Sequence, residues 1–208
     1  MKKLFIIFIS LCSCGMDDNH NVKSINMIGD SRFISMDASV LRKNISELNG
    51  DLDFVGSIMD SHGFLHDSVG GEGIEQLLVR FENIPTADAH IIMFGTNDSW
   101  RTNIDIPFVG LVYIINELLD RGGVVFYVLQ TPRTDEREAY NIKLDKKISN
   151  YFNNNSKFYL IDARSSFLEN DDWENNLMSD HVHLSIKGVK LLADLINKKL
   201  LKYNGIVD

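Results

Sequence analysis

"INMIGDSRF", residues 25–33, is an apolar run that stops abruptly at Gly29-Asp30-Ser31. Taken alone the triplet is a turn signal, because glycine tolerates positive φ and Asp and Ser side chains hydrogen-bond to their own backbone. Its meaning comes from the rest of the chain. "LDFVGS" (52–57), "AHIIMFG" (89–95), "GVVFYVLQ" (123–130) and "KFYLIDA" (157–163) are further short runs rich in β-branched and aromatic residues. With "SINMIG" (24–29) they give five predicted strands. Most are nearly continuous in apolar character, as parallel strands covered on both faces are. Helical patterns fill the intervals, near 35–48, 72–82, 106–121 and 135–152. The last element, "SIKGVKLLADLINKKLLKY" (185–203), sets Val189, Leu192, Ala193, Leu195 and Ile196 on one stripe, with the lysines between 187 and 202 on the wet face.

Such β–α alternation predicts an α/β fold, a three-layer α/β/α sandwich around a five-stranded parallel sheet. In these sheets the ligand crevice lies beyond the carboxyl ends of the strands. Gly29-Asp30-Ser31 leaves the first strand and Gly95-Thr96-Asn97-Asp98 leaves the third, so both turns face that crevice. A serine hydroxyl is a poor nucleophile until a histidine takes its proton and a carboxylate fixes the histidine's tautomer. "SDHVHLS" (179–185) supplies both partners just before the last helix: Asp180 and His183 stand three residues apart, with His181 between them. The D-x-x-H spacing selects His183.

These blocks resemble the SGNH (GDSL-type) hydrolase family: Gly-Asp-Ser after the first strand, a glycine in a second block, Gly-x-Asn-Asp after the third strand, and Asp-x-x-His near the C-terminus. They occur in the family's order and cover essentially residues 24–208. The resemblance implies a flavodoxin-like SGNH fold with Ser31 as nucleophile, His183 as general base and Asp180 as its orienting carboxylate. It implies an oxyanion hole made of the Ser31 N–H, a second-block glycine N–H and the Asn97 amide, with Asp98 bracing the loop and no metal or organic cofactor. In "HDSVGGEGIEQLL" (66–78), His66 and Gly71 match relatives best; Gly71 is the chosen glycine and Gly73 the alternate. The family's second-block Asn is missing, and Arg32 stands where its Leu is expected.

The N-terminus is read separately. Lys2 and Lys3 precede an apolar stretch from Leu4 to Cys12, too short to span a bilayer stably. "LCSC" (11–14) resembles a bacterial lipobox, against the alternatives of an ordinary secretory signal or an anchor helix. Residues 1–14 are then a lipoprotein leader whose Cys14 becomes the lipidated first residue, 15–23 a tether, and 24–208 the domain. Asp17-Asp18 is either solvated tether or an acidic surface-export signal. The implied location is the bacterial cell envelope, lipid-anchored. Both cysteines, Cys12 and Cys14, lie in this segment, which excludes a Cys nucleophile or Cys-based metal site from the domain. The chain carries a net charge of −8, and without Lys2 and Lys3 there are 19 basic against 29 acidic residues. Nucleic acid is therefore not an expected partner.

Three functions stay open: a carbohydrate O-acyl esterase, a lysophospholipase- or thioesterase-like lipid hydrolase, and a non-catalytic glycan-binding lipoprotein. The intact Ser31, Asn97, Asp180 and His183 set argues against the third. Arg32, His66, Asp67, Glu72, Ser99 and Arg101 flank the site loops and offer hydrogen-bonding groups to sugar hydroxyls, and Trp100 either lines the pocket or packs. The expected substrate is a short acyl ester, acetyl first, on a glycan.

Overall fold

The computed structural model describes residues 21–35, 38–101 and 103–206. The leader with Cys14 and Asp17-Asp18 lies outside them. Val22 and Lys23, assigned above to the tether, already belong to the fold. Val22 is buried and its N–H donates to Asn204 Oδ1 at 3.0 Å, while the Lys23 N–H donates to Asp88 Oδ2 at 3.0 Å.

In chain order the elements are β1 (Ser24–Gly29), α1 (Ala38–Leu48), β2 (Asp53–Val55), β3 (Ile58–Met59), β4 (Leu65–Ser68), α2 (Ile74–Arg80), β5 (Ala89–Met93), α3 (Asp105–Asp120), β6 (Val124–Val128), α4 (Glu138–Phe152), β7 (Phe158–Ile161), α5 (Ala163–Leu168), α6 (Trp173–Leu177) and α7 (Ile186–Tyr203). The sheet runs β3-β4-β1-β5-β6-β7, with β2 also paired to β1. Every pairing is parallel except β3 with β4.

The second predicted strand, 52–57, shrinks to β2 and shares its place in the sheet with β4, which lies outside the predicted run. β2 pairs with the start of β1, from Ser24↔Asp53 to Asn26↔Val55, and β4 pairs with its end, at Ile28↔Asp67 and Gly29↔Ser68. The short β3 is the excursion between the two. The parallel sheet thus keeps its five strand positions, one of them shared by two segments.

Period-two alternation divides the strand side chains between two cores. Ile25, Met27, Ile91, Met93, Phe126 and Val128 pack with α1, α5, α6 and α7 on one face, whereas Ile28, Ile92, Val125 and Tyr127 pack with α2, α3 and α4 on the other. The α7 stripe follows the sequence: Val189, Leu192, Ala193 and Ile196 are buried, and Lys187, Lys190, Lys198 and Lys202 are exposed. Among the described residues no helix is long and apolar enough to cross a membrane.

Candidate active site

Residues 30–33 form an Asx turn at the end of β1. Asp30 Oδ1 accepts the Arg32 N–H at 3.0 Å, and Asp30 O accepts the Phe33 N–H at 3.1 Å. This turn lifts Ser31 above the sheet edge, half-buried. Ser35 ties it down: its hydroxyl donates to Ser31 O at 3.0 Å and accepts the Leu184 N–H at 3.3 Å, joining the serine turn to the loop before α7.

That loop shows why three residues separate Asp180 from His183. One carboxylate oxygen, Oδ1, accepts the N–H groups of Val182 and His183, each at 2.7 Å, and so shapes the loop. The other, Oδ2, lies 2.7 Å from His183 Nδ1, and His183 Nε2 lies 2.9 Å from Ser31 Oγ. Burial acts to raise the Asp180 pKa, but the hydrogen bonds from the His183 backbone and ring and from Val182 outweigh it and hold the carboxyl at about 2. An ionised carboxylate only accepts, so Nδ1 carries the proton and Nε2 is left to accept from the serine hydroxyl. His181 is turned elsewhere, its Nδ1 2.6 Å from Thr134 Oγ1. The structure therefore brings His183, and not His181, to Ser31.

Asn97 is aimed by the turn after β5. Gly95 adopts φ +112°, a conformation glycine reaches without Cβ strain, and leads into a single 3₁₀ turn over Thr96–Asp98. The Asn97 Nδ2 donates to Glu72 O at 3.0 Å, docking this turn onto the second block. Asp98 is buried and accepts the Ile74 N–H, at 3.1 Å to Oδ2, and Arg101 Nε at 3.0 Å, so it braces the loop and caps α2.

The second-block glycines occupy different places. A Cβ on Gly70 would lie 4.0 Å from the Ser31 Cβ, so Gly70 flanks the serine; Gly71 follows it with φ +75° and faces open space. Gly73, the alternate, is the N-cap of α2 and packs on Asp98. Among the described residues neither the Ser31 N–H nor the Gly71 N–H has a protein acceptor.

Several groups expected to offer hydrogen bonds to a sugar do not. Arg32, His66, Asp67 and Glu72 are all buried, because β4 and the loops beside it turn inward. Arg32 donates through one terminal nitrogen to Thr131 O at 2.6 Å and Thr131 Oγ1 at 3.1 Å; Asp67 accepts Asn26 Nδ2 at 2.8 Å; His66 Nδ1 accepts the Ser68 N–H at 3.0 Å. Arg101 is spent on Asp98 and Glu75. Trp100, by contrast, is 70% exposed, with the Arg137 guanidinium 4.5 Å from its ring centre.

The loop leaving β6 is the part that residue patterns did not single out. Thr131 meets Arg32; Arg133 donates to Thr96 Oγ1 at 2.8 Å; Thr134 meets His181. It links the Asn97 turn to the histidine loop, and its position at a strand's carboxyl end was the available signal. Asp180 also lines a cleft of 420 Å³, mixed in polarity, with Thr134, Glu174, Asn175, Met178, Ser179 and His181. Among the described residues no group of three or more His, Cys, Asp or Glu side chains is placed to hold a metal ion.

Behind the serine lies a buried ionic layer. Burial pushes the Asp30 carboxyl up to about 6 despite the adjacent Arg32 charge, and burial lowers Arg32 to about 10 despite Asp30. Asp145, which accepts the Tyr127 hydroxyl at 2.9 Å and the Gln130 N–H at 2.8 Å, is raised by burial to about 7.

Fold and site together define a class, ester-bond hydrolases built on a parallel sheet flanked by helices. Within it, a model of the GDSL-like lipase/acylhydrolase family matches residues 27–191, and the chain belongs to that family. Solved structures share the fold at low identity. A carbohydrate esterase family 3 protein from Talaromyces cellulolyticus superposes with a TM-score of 0.70 at 18% identity, covering 89% of this chain and 99% of that one. A lipase/acylhydrolase from Enterococcus faecalis gives 0.69 at 18% identity, over 89% and 97%. A catalytic mutant of an acetylxylan esterase from Geobacillus stearothermophilus gives 0.65 at 15% identity, over 89% and 95%. No curated protein is matched by sequence comparison.

Proposed function

We propose that this protein is a serine esterase that removes short acyl groups, acetyl above all, from carbohydrate esters. One observation carries the reading: the continuous relay from Ser31 Oγ to His183 Nε2 at 2.9 Å and from His183 Nδ1 to Asp180 Oδ2 at 2.7 Å. In this mechanism His183 takes the hydroxyl proton as Ser31 Oγ attacks the ester carbonyl, and Asp180 stabilises the imidazolium that forms. The tetrahedral oxyanion is received by the Ser31 and Gly71 N–H groups and the Asn97 amide, each such donor lowering the barrier by ~3 kcal/mol. As the ester C–O bond breaks, His183 gives its proton to the departing sugar oxygen, which leaves as a hydroxyl; water, activated by the same imidazole, then attacks the acyl-serine, releases the acid and restores the Ser31 hydroxyl.

A polar leaving group is supported by the cleft beside Asp180 and by the exposed Trp100, an aromatic plane suited to a sugar face. The esterases of carbohydrates among the solved relatives support the same substrate class. One observation favours a longer acyl chain instead: an apolar groove of 570 Å³ lined by Leu78, Ile106, Val109, Gly110 and Tyr113 with Asn103 and Asp105 at its edge. Acetate release from acetylated xylan and other acetylated glycans, measured beside hydrolysis of octanoyl esters, separates the two. Strong octanoyl preference with no acetate from any glycan would move the assignment to a lipid esterase.

We also propose that the enzyme works from the cell envelope, tethered through lipidated Cys14. Palmitate labelling of the full chain is expected to require Cys14 and to survive Cys12→Ala. Release of unlabelled protein without detergent would contradict the tether.

A further inference from the structure

The second block holds two buried charges that the mechanism above does not use. Glu72 is 5% exposed, and its carboxylate is gripped by Arg80 of α2: Nε donates to Oε1 at 2.7 Å and a terminal nitrogen to Oε2 at 2.6 Å. The same guanidinium donates to Asp67 O at 2.8 Å and meets Asp67 Oδ1 at 3.3 Å. Asp67 is itself held in the sheet by Asn26 of β1 and by the Ser57 hydroxyl. A line of charge-assisted contacts thus runs from the sheet through Arg80 to residue 72.

Residue 72 is where both donors outside the serine turn are set. The Gly71 N–H is one residue upstream on the same backbone, and the Asn97 amide donates to Glu72 O at 3.0 Å. An amide nitrogen has two hydrogens, so one locks Asn97 to residue 72 and the other is left for a ligand. Between Val69 and Gly73 the chain reads Gly70-Gly71-Glu72, so Glu72 supplies the one side chain that can anchor the loop. Glycine pairs are conformationally permissive, whereas oxyanion donors act through preorganisation.

We infer that Glu72 and Arg80 are positioning residues for oxyanion binding: their bidentate fork fixes the backbone of residue 72, and with it the Gly71 N–H and the Asn97 amide together. The inference rests on the esterase reading, in which those two donors receive the developing charge. A fork matters here because a bidentate guanidinium sets direction as well as charge, which a lysine ammonium does not. Removing Arg80 entirely would leave the buried Glu72 carboxylate uncompensated, so milder changes are the useful ones.

The test places Arg80→Lys and Glu72→Gln in the wild type and in an Asn97→Ala background, with kcat and KM for 4-nitrophenyl acetate and thermal unfolding recorded for each. In the wild type each is expected to lower kcat about 10- to 100-fold while KM stays within about twofold, the size of loss that sub-ångström to ångström misplacement produces. With Asn97→Ala the further fall should be clearly smaller than in the wild type, because the share that runs through Asn97 is already lost and only the Gly71 share remains. If both single variants fail to fold, the uncharged pair Glu72→Gln/Arg80→Gln supplies the same comparison. Unchanged kcat in folded variants, or the same fall repeated in the Asn97→Ala background, overturns the inference and leaves the esterase reading standing. Wild-type kcat in Asn97→Ala alone overturns the oxyanion assignment and the inference with it.

Discussion

Asp30 is buried completely beside the serine, with one oxygen accepting the Arg32 N–H and the other without a protein partner. Replacing it with Asn keeps the Oδ1 acceptor that makes the turn and removes only the titration. Burial, offset in part by Arg32, raises the carboxyl from 3.8 to about 6, so the folded state holds this proton more tightly than the unfolded chain does. The sign is the reverse of an ordinary paired carboxylate: stability is fullest below the unfolded pKa and is lost as pH rises through the folded value. At ~1.36 kcal/mol per pKa unit the whole effect is about 3 kcal/mol, of which about 2 kcal/mol falls between about pH 4.5 and about pH 8. Urea unfolding of wild type and Asp30→Asn across that range reads it directly. The stability of Asp30→Asn relative to wild type should rise by about 2 kcal/mol over the interval. A difference that stays flat with pH, or falls, would refute the claim that a buried, proton-hungry carboxyl sits behind Ser31.

Other outcomes follow from the same contacts. His183→Ala should abolish esterase activity with the fold intact, whereas His181→Ala, bonded to Thr134, should retain most of it; equal damage from both would contradict the assignment of the base. Asp180→Ala should lower kcat by up to ~10⁴ through loss of the correct tautomer, measurable with 4-nitrophenyl acetate. Gly110→Ala places a methyl 2.4 Å from Ile74 Cγ1 where α3 packs on α2, and should lower stability by ~1–3 kcal/mol in thermal or urea unfolding.

Ser31 and Asn97 were legible because each follows a predicted strand, and Asp180 and His183 because they stand three residues apart just before a predicted helix. β4 was not legible as a strand. Leu65–Ser68 is mostly polar, and Asp67 and Ser68 owe their burial to Asn26 and to Met27 O, which are remote in sequence. The same blindness made His66, Asp67, Glu72 and Arg32 read as solvent-facing groups: composition reports a side chain's polarity, and only the fold reports that Arg80 or Thr131 is waiting for it. The short helices α5 and α6 have too few residues to show a stripe, and α5 is marked chiefly by its N-cap, Asp162, which accepts the Ser165 N–H. Sharing of the second strand's place between β2 and β4 likewise depends on register along β1, which a run such as "LDFVGS" does not encode.

The central claim is that Ser31 is a nucleophile activated by His183, and covalent trapping tests it most directly. Wild-type protein treated with a serine-reactive phosphonate should gain the mass of one adduct, mapped by peptide sequencing to Ser31. Ser31→Ala should take up none, and His183→Ala should label far more slowly, because the relay that withdraws the hydroxyl proton is gone. Labelling at another serine, or equal labelling rates in wild type and His183→Ala, would contradict the account.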